Sequence, residues 1–213
     1  MVFKQKQKLV MIGDSITDCG RLMPVGEGKD ALGNGYVMMV DALLTLQHPE
    51  LFMRVVNMGI GGNTVRHLDE RWETDVIDLK PDWVSILVGI NDVWRQFDSP
   101  TRTEDHIPPE EFSGTLERLI TKTKPLLSGG IVLMTPFIMD TNKNDPMRAR
   151  MDEYAGLIRE TAAKHGCILC DLPPAFDAMW NYMHPVYVAW DRIHPNHIGS
   201  MLIAREFLRS VGA

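Results

Sequence analysis

Cysteine is scarce in this chain: three occur among 213 residues, an odd number without the spacing of a secreted disulfide framework. Long apolar runs are missing too, and none approaches the roughly 20 residues that a membrane-spanning helix needs. The basic first residues lead into Leu9–Ile12, an apolar stretch too short for the hydrophobic region of a signal peptide. A cytoplasmic location with no membrane partner is therefore expected. Positive charge is thin as well. The 22 Lys and Arg face 28 Asp and Glu, a formal charge of −6, and no basic run exceeds the alternating KQKQK of Lys4 to Lys8. That excludes the broad basic face nucleic acid requires, so nucleic acid is not an expected partner. Low-complexity segments, internal repeats and Pro/Gly-rich linkers are lacking, which leaves one domain over residues 1–213.

What the chain does contain is alternation. The apolar runs LVMIG (9–13), MRVVNM (53–58), WVSILVG (83–89), GIVLMTP (130–136) and CILCDL (167–172) are rich in Val, Ile and Leu. They read as strands buried on both faces. Between and after them the apolar spacing predicts helices over 35–46, 64–79, 109–127, 145–166 and 197–211, with Gly166 as a stop. Strands alternating with helices imply right-handed βαβ units. The fold class is α/β, a three-layer α/β/α sandwich with about five parallel strands.

Ligands of such sheets bind beyond the carboxyl ends of the strands, near a topological switch point. Four polar segments fall there: Gly13-Asp14-Ser15, NMGIGGNT (57–64), GIND (89–92) and, before the last helix, DRIHP (191–195). Ser15 alone can be a helix N-cap, or a nucleophile if a base is near. Asp191 and His194 stand three residues apart, so that the carboxylate can reach Nδ1–H and leave Nε2 free for a serine proton. The same pair could equally be a cap and a solvated imidazole at a helix start. Gly62 could bring a backbone N–H close to a substrate, and Asn91 could offer a side-chain amide, as acyl transfer requires for its oxyanion. A tight glycine turn and an Asx-turn are the alternatives for these two. If Ser15 opens a helix, its own N–H is a third donor, with cap and nucleophile the same residue.

Other constellations carry less. Gly59-x-Gly61 meets Thr64 where a dinucleotide fingerprint wants glycine, and it follows the second strand-like run. Cys167 and Cys170 spell one CxxC inside an apolar pattern, which reads as core packing. His194 and His197 with Asp14, Asp18 and Asp191 could be imagined around a metal, but a triad needs fewer coincidences.

Taken in order, Gly-Asp-Ser-Ile (13–16), Asn-Met-Gly-Ile-Gly-Gly (57–62), Gly-Ile-Asn-Asp (89–92) and Asp-Arg-Ile-His-Pro (191–195) resemble the four blocks of the SGNH, or GDSL, esterase/lipase family. The resemblance spans residues 13 to 195 and departs only in Ile16, where the family name has Leu. It implies a flavodoxin-like sandwich and a serine esterase that needs no cofactor and no metal. Ser15 matches the nucleophile, Asp191 and His194 the remaining triad members, and Ser15, Gly62 and Asn91 the oxyanion hole. The surrounding stretches MIGDSITDCGR (11–21), RVVNMGIGGNTVR (54–66), PDWVSILVGINDVWRQF (81–97), VLMTPF (132–137), DPMR (145–148) and AWDRIHP (189–195) are most similar to the compact bacterial acetylxylan esterases. The implied substrate is a short acyl ester, acetyl above all, of a carbohydrate such as a xylo-oligosaccharide. Asp14, Trp94, Arg95 and Trp190 are the expected substrate contacts. Lysophospholipase, thioesterase or aryl esterase activity is the alternative within the family, and a non-catalytic carbohydrate-binding protein the alternative outside it. Apolar helix faces leave room for a homo-oligomer.

Overall fold

A computed structural model describes residues 1–213, with Lys29 described by its backbone alone. The five apolar runs form parallel strands: β1 (Lys8–Gly13), β3 (Arg54–Gly59), β4 (Trp83–Leu87), β5 (Gly130–Met134) and β6 (Ile168–Cys170). A sixth, β2 (Gly26–Glu27), adds an antiparallel edge by pairing Gly26 with Asn57 and Glu27 with Val56. The sheet order is β2-β3-β1-β4-β5-β6. Two residues carry no periodicity, so β2 is invisible in the sequence; it exists because β3 offers an open edge. β4 is buried throughout and β1 at every position but its first, because helices cover both faces.

The helices are α1 (Ser15–Asp18), α2 (Tyr36–Gln47), α3 (Val65–Trp72), α4 (Ile90–Asp98), α5 (Pro109–Thr123), α6 (Pro146–His165), α7 (Leu172–Met179) and α8 (His197–Ser210). α2, α7 and α8 pack among themselves in one layer, and α3, α4, α5 and α6 in the other. α6 has the boundaries its residues dictate. Asp145 accepts from the N–H groups of Met147 and Arg148, Pro146 opens the first turn, and Gly166 closes the helix at φ +59. Two expectations are corrected. The pattern over 64–79 is not one helix: it is α-helical to Trp72 and then widens into a π turn, Glu73–Ile77. The apolar stripe persists through the change because Trp72 and Val76 are both buried, the Trp72 indole N–H reaching Thr123 Oγ1 on α5 at 2.8 Å. The pattern over 109–127 narrows into a 3₁₀ turn, Lys124–Leu126, after α5. The short helices α4 and α7 were not legible, because eight or nine residues give too few turns for a stripe.

This topology positions the site. β1 lies at the centre with β3 on one side and β4 on the other, so the connection from β1 runs to one side and that from β3 to β4 crosses to the other, the arrangement of a switch point. Gly13 pairs with Gly59 and with Leu87, which brings the segments after β1, β3 and β4 to one edge.

Candidate active site

Ser15 stands at the first residue of α1, one turn after β1 ends. The preceding residue is the cap: Asp14 has extended backbone angles, φ −100 and ψ −150, and its Oδ1 accepts the Ile16 N–H at 2.9 Å. Cap and Ser15 are thus separate residues, which corrects the expectation that one residue plays both parts. Asp14 is also among the expected substrate contacts. Asp14 is 1% exposed and lies beneath the site, its carboxylate turned to the helix start. The α1 turn is packed directly against β3: a Cβ on Gly59 would stand 2.2 Å from Asp18 N, so only glycine admits this approach. Buried Asn57 locks the contact, donating to Thr17 O at 2.7 Å and Leu32 O at 2.8 Å while its Oδ1 accepts Gly59 N–H at 2.9 Å.

His194 reaches Ser15 from a turn before α8. Its Nε2 is 2.8 Å from Ser15 Oγ, and its Nδ1 is 2.6 Å from Asp191 Oδ2. Asp191 Oδ1 accepts the backbone N–H groups of Ile193 at 3.0 Å and His194 at 2.8 Å, so one carboxylate shapes the turn and orients the ring. With the Nδ1 proton donated to Asp191, Nε2 is an acceptor for the serine hydroxyl. Burial would raise the Asp191 carboxyl, but the hydrogen bonds from the His194 ring and the two backbone N–H groups outweigh it and hold it below the usual carboxylate range. Arg192, inside this turn, has φ +70, a left-handed conformation held by ion pairs to Asp140 at 2.6 Å and Asp145 at 2.9 Å.

Donors converge on the other side of Ser15. A Cβ on Gly61 would lie 3.9 Å from Ser15 Cβ, so the loop after β3 runs beside the hydroxyl. The Gly61 N–H is engaged by Asp18 Oδ2 at 3.0 Å. The next N–H, that of Gly62, and the N–H of Ser15 have no acceptor among the described residues. Gly62 sits at φ +81, which a side chain would strain. Asn91, in the first turn of α4, donates from Nδ2 to Asn63 O at 3.1 Å, leaving the second amide proton. Asp92 joins the same two segments, since its Oδ1 accepts the Val65 N–H at 2.9 Å. Burial lifts the carboxyls of both Asp14 and Asp92 to about 7. Each keeps one oxygen, Oδ2, without a partner among the described residues.

The Trp94 ring meets the His194 ring edge-on, 6.3 Å between centroids, and the Arg95 guanidinium stacks over Trp94 at 4.7 Å. Arg95 also borders a cavity of ≈ 400 Å³ that begins at Gly62. Trp190 is not part of that cavity. It is 83% exposed and borders a smaller one of ≈ 210 Å³ with Arg192 and Ala189. Cys19 lies against the Ser15 and Ile16 carbonyls, and burial pushes its thiol up to about 11. Among the described residues no three His, Cys, Asp or Glu side chains are grouped to hold a metal. Asn57 and Asp92 were not singled out by residue type. Both stand inside quoted blocks, Asn57 opening NMGIGG and Asp92 closing GIND, a signal that could have found them.

A hydroxyl, an imidazole and a carboxylate in relay, facing free N–H groups at the carboxyl edge of a parallel sheet, define a serine hydrolase. The comparisons narrow the class. The sequence model of the GDSL-like lipase/acylhydrolase family matches residues 11–202, and the chain belongs to that family. It is a carboxylic ester hydrolase, with a Ser-His-Asp triad. The chain is 52% identical over 207 residues to an acetylxylan esterase of Geobacillus stearothermophilus, covering 97% of this chain and 94% of that one. A crystal structure of an acetylxylan esterase from the same organism superposes with a TM-score of 0.98 at 50% identity, covering 100% of this chain and 97% of the other. Catalytic mutants of that enzyme replace a serine, an aspartate and a histidine by alanine. An α/β hydrolase from the metagenome of Lake Arreo, Spain, superposes at 0.97 with 48% identity, covering 100% and 98%.

Proposed function

We propose that Ser15 attacks the ester carbonyl while His194 Nε2 takes its proton and Asp191 holds the ring. The observation that carries this reading is the unbroken Asp191–His194–Ser15 relay at 2.6 and 2.8 Å. The oxyanion settles against the N–H groups of Ser15 and Gly62 and the Asn91 amide. His194 then protonates the leaving alkoxide, and a water activated by the same imidazole releases the acid from the acyl-enzyme. Residues 1–213 act as one hydrolase domain, a reading supported by the single six-stranded sheet.

The substrate is an acetylated xylo-oligosaccharide or a similar carbohydrate ester. Relatives named for acetylxylan support this, and so does the cavity at Gly62. Its arginines are already neutralised: Arg66 by Glu111, Arg95 by Asp98 and Arg102 by Asp105. Paired ions offer many donors and acceptors with little net field, which suits an uncharged polyol better than an anion or a fatty chain. Arg95 in the cavity lining and Trp94, packed against Arg95 and His194, are the substrate contacts on this side, and Trp190 one further out. Acetate release from acetylated xylo-oligosaccharides should exceed release of longer acids from the same sugars. Equal rates on long-chain esters would favour a lipase-like groove instead.

No helix is long and apolar enough to cross a membrane. The three cysteines are free, which supports a reducing, cytoplasmic setting. Self-association is supported by the exposed aromatics Tyr182, Tyr187 and Trp190, and light scattering on the purified chain would measure it.

A further inference from the structure

Arg71 projects from α3 toward the carboxyl edge of the sheet with its side chain 13% exposed. Its guanidinium spends its donors on four groups. Nε donates to Asn63 Oδ1 at 2.7 Å, Nη1 to Met58 O and Asp75 Oδ2, each at 2.7 Å, and Nη2 to Gly13 O at 3.0 Å. Three of these acceptors lie on the segments that flank Ser15. Gly13 ends β1 two residues before Ser15, Met58 is on β3 just before the glycine loop, and Asn63 directly follows Gly62. Asn63 is also the residue whose carbonyl holds the Asn91 amide. The fourth acceptor, Asp75, offsets the charge from one turn along the chain and is itself held by Thr74 Oγ1 at 2.8 Å.

From these contacts we propose that Arg71 is a positioning residue for ester hydrolysis: one planar guanidinium sets the distance between the strand end that carries Ser15 and the loop that carries the Gly62 N–H. The proposal rests on the reading of Ser15 as nucleophile and Gly62 as oxyanion donor. The shape of the group is what matters. A guanidinium presents its donors in one rigid plane, so three acceptors on two strands and a loop are held in a fixed triangle. An ammonium is a point charge on a flexible stem and cannot hold all three directions. A donor must also be in place before the oxyanion forms, because stabilisation comes from dipoles that need not reorganise. Arg71 touches neither substrate nor the reacting atoms; its donors all point into the protein. Its effect therefore belongs to kcat and not to substrate affinity.

The test uses the full chain and 4-nitrophenyl acetate, an ester too small to need the cavity beside Gly62. Arg71→Lys should lower kcat about 100-fold, the cost of misplacing a reacting group by about 1 Å, with KM within about twofold of the unaltered protein. A through-space charge effect would survive this substitution, so a kcat loss in the lysine variant isolates geometry. In Arg71→Ala, added methylguanidinium should restore part of the lost kcat, and methylammonium should restore none. Asn63→Ala removes one acceptor and leaves Arg71 in place. It should cost several-fold in kcat and add little on top of Arg71→Lys, because both act through one network. This variant also decides the matter should Arg71→Ala fail to fold. Wild-type kcat in both folded Arg71→Lys and Asn63→Ala, or a loss confined to KM, overturns the proposal. Ser15→Ala is the control: if it stays active, the nucleophile assignment falls and this inference with it. If it is inactive while the Arg71 and Asn63 variants are unimpaired, the positioning role alone is wrong.

Discussion

The two halves of the site are built by different means. On the side of Ser15 and Gly62, the polar groups are buried and pinned across elements: Asn57 between β3 and α1, Asp92 between α4 and α3, and Asn91 between α4 and the glycine loop. On the side of His194, the residues belong to one surface turn, and the His194 side chain is 41% exposed. Asp191 organises that turn locally through three hydrogen bonds, and Arg192 fastens it with ion pairs to Asp140 and Asp145. The difference follows from the chemistry. Oxyanion donors must be fixed in advance, and the buried Asn57, Asn91 and Asp92 side chains hold the segments that carry them, although Gly62 itself is exposed and Ser15 half-buried. A general base needs the right tautomer, the right orientation and access for a proton, which a carboxylate-centred turn supplies at the surface.

Substitutions at the meeting point of the halves should have the largest effect. Ser15→Ala and His194→Ala should each lower kcat on the order of 10⁶-fold, and the double variant should be no worse, since the residues act as a unit. A double variant much worse than either single one would separate what the relay joins. Within the surface half, Asp191→Asn should cost about 10⁴-fold in kcat by favouring the wrong His194 tautomer, and circular dichroism should show the fold intact. Within the buried half, Asn91→Ala should cost about 100- to 1,000-fold and also lower the melting temperature, because the Asn63 carbonyl loses its partner. If Asn91→Ala spares stability while Asp191→Asn unfolds the protein, the contrast between the halves is wrong.

The smallest effect expected concerns pH and stability. Asp14 and Asp92 titrate near 7 in the fold, against an ordinary value near 4, because burial disfavours their charge. Between about pH 4 and 7 the native state then binds more protons than the unfolded chain, so stability falls as pH rises through that window and levels off above it. Asp191 works in the opposite sense. Its lowered carboxyl adds stability above its ordinary pKa, and that contribution is lost as pH falls through the folded value. Urea denaturation at several pH values should show the Asp92→Asn protein with a shallower decline from pH 4 to 7. An unchanged slope would mean that Asp92 is charged throughout.

Much of this was legible in the residues. Parallel strands buried on both faces have to be written as Val, Ile and Leu runs, so β1, β3, β4, β5 and β6 announced themselves. The catalytic blocks announced themselves because each polar cluster follows such a run. The edge strand β2 did not, since its two residues pair only because β3 is already there. Nor did the turn at Asp14. Whether a helix starts at residue 14 or 15 depends on backbone angles, and both residues are good caps. Arg71 stands among Arg66, Asp69 and Glu70 on a helix that looks merely polar, and nothing local marks it as the one turned inward.

By itself, then, the sequence determined the layer order, the identity of the reactive side chains and the family to which the chain belongs, because periodicity and short blocks are local properties of a chain. Only the tertiary structure decided that Asp14 and not Ser15 caps α1, that the Gly61 N–H is engaged and the Gly62 N–H free, and that Asn57, Arg71 and Asp92 tie the site together. The cap is a matter of backbone angles at two adjacent residues, and most of the other contacts join residues tens of positions apart, which meet only once the sheet has brought three strand ends to one edge.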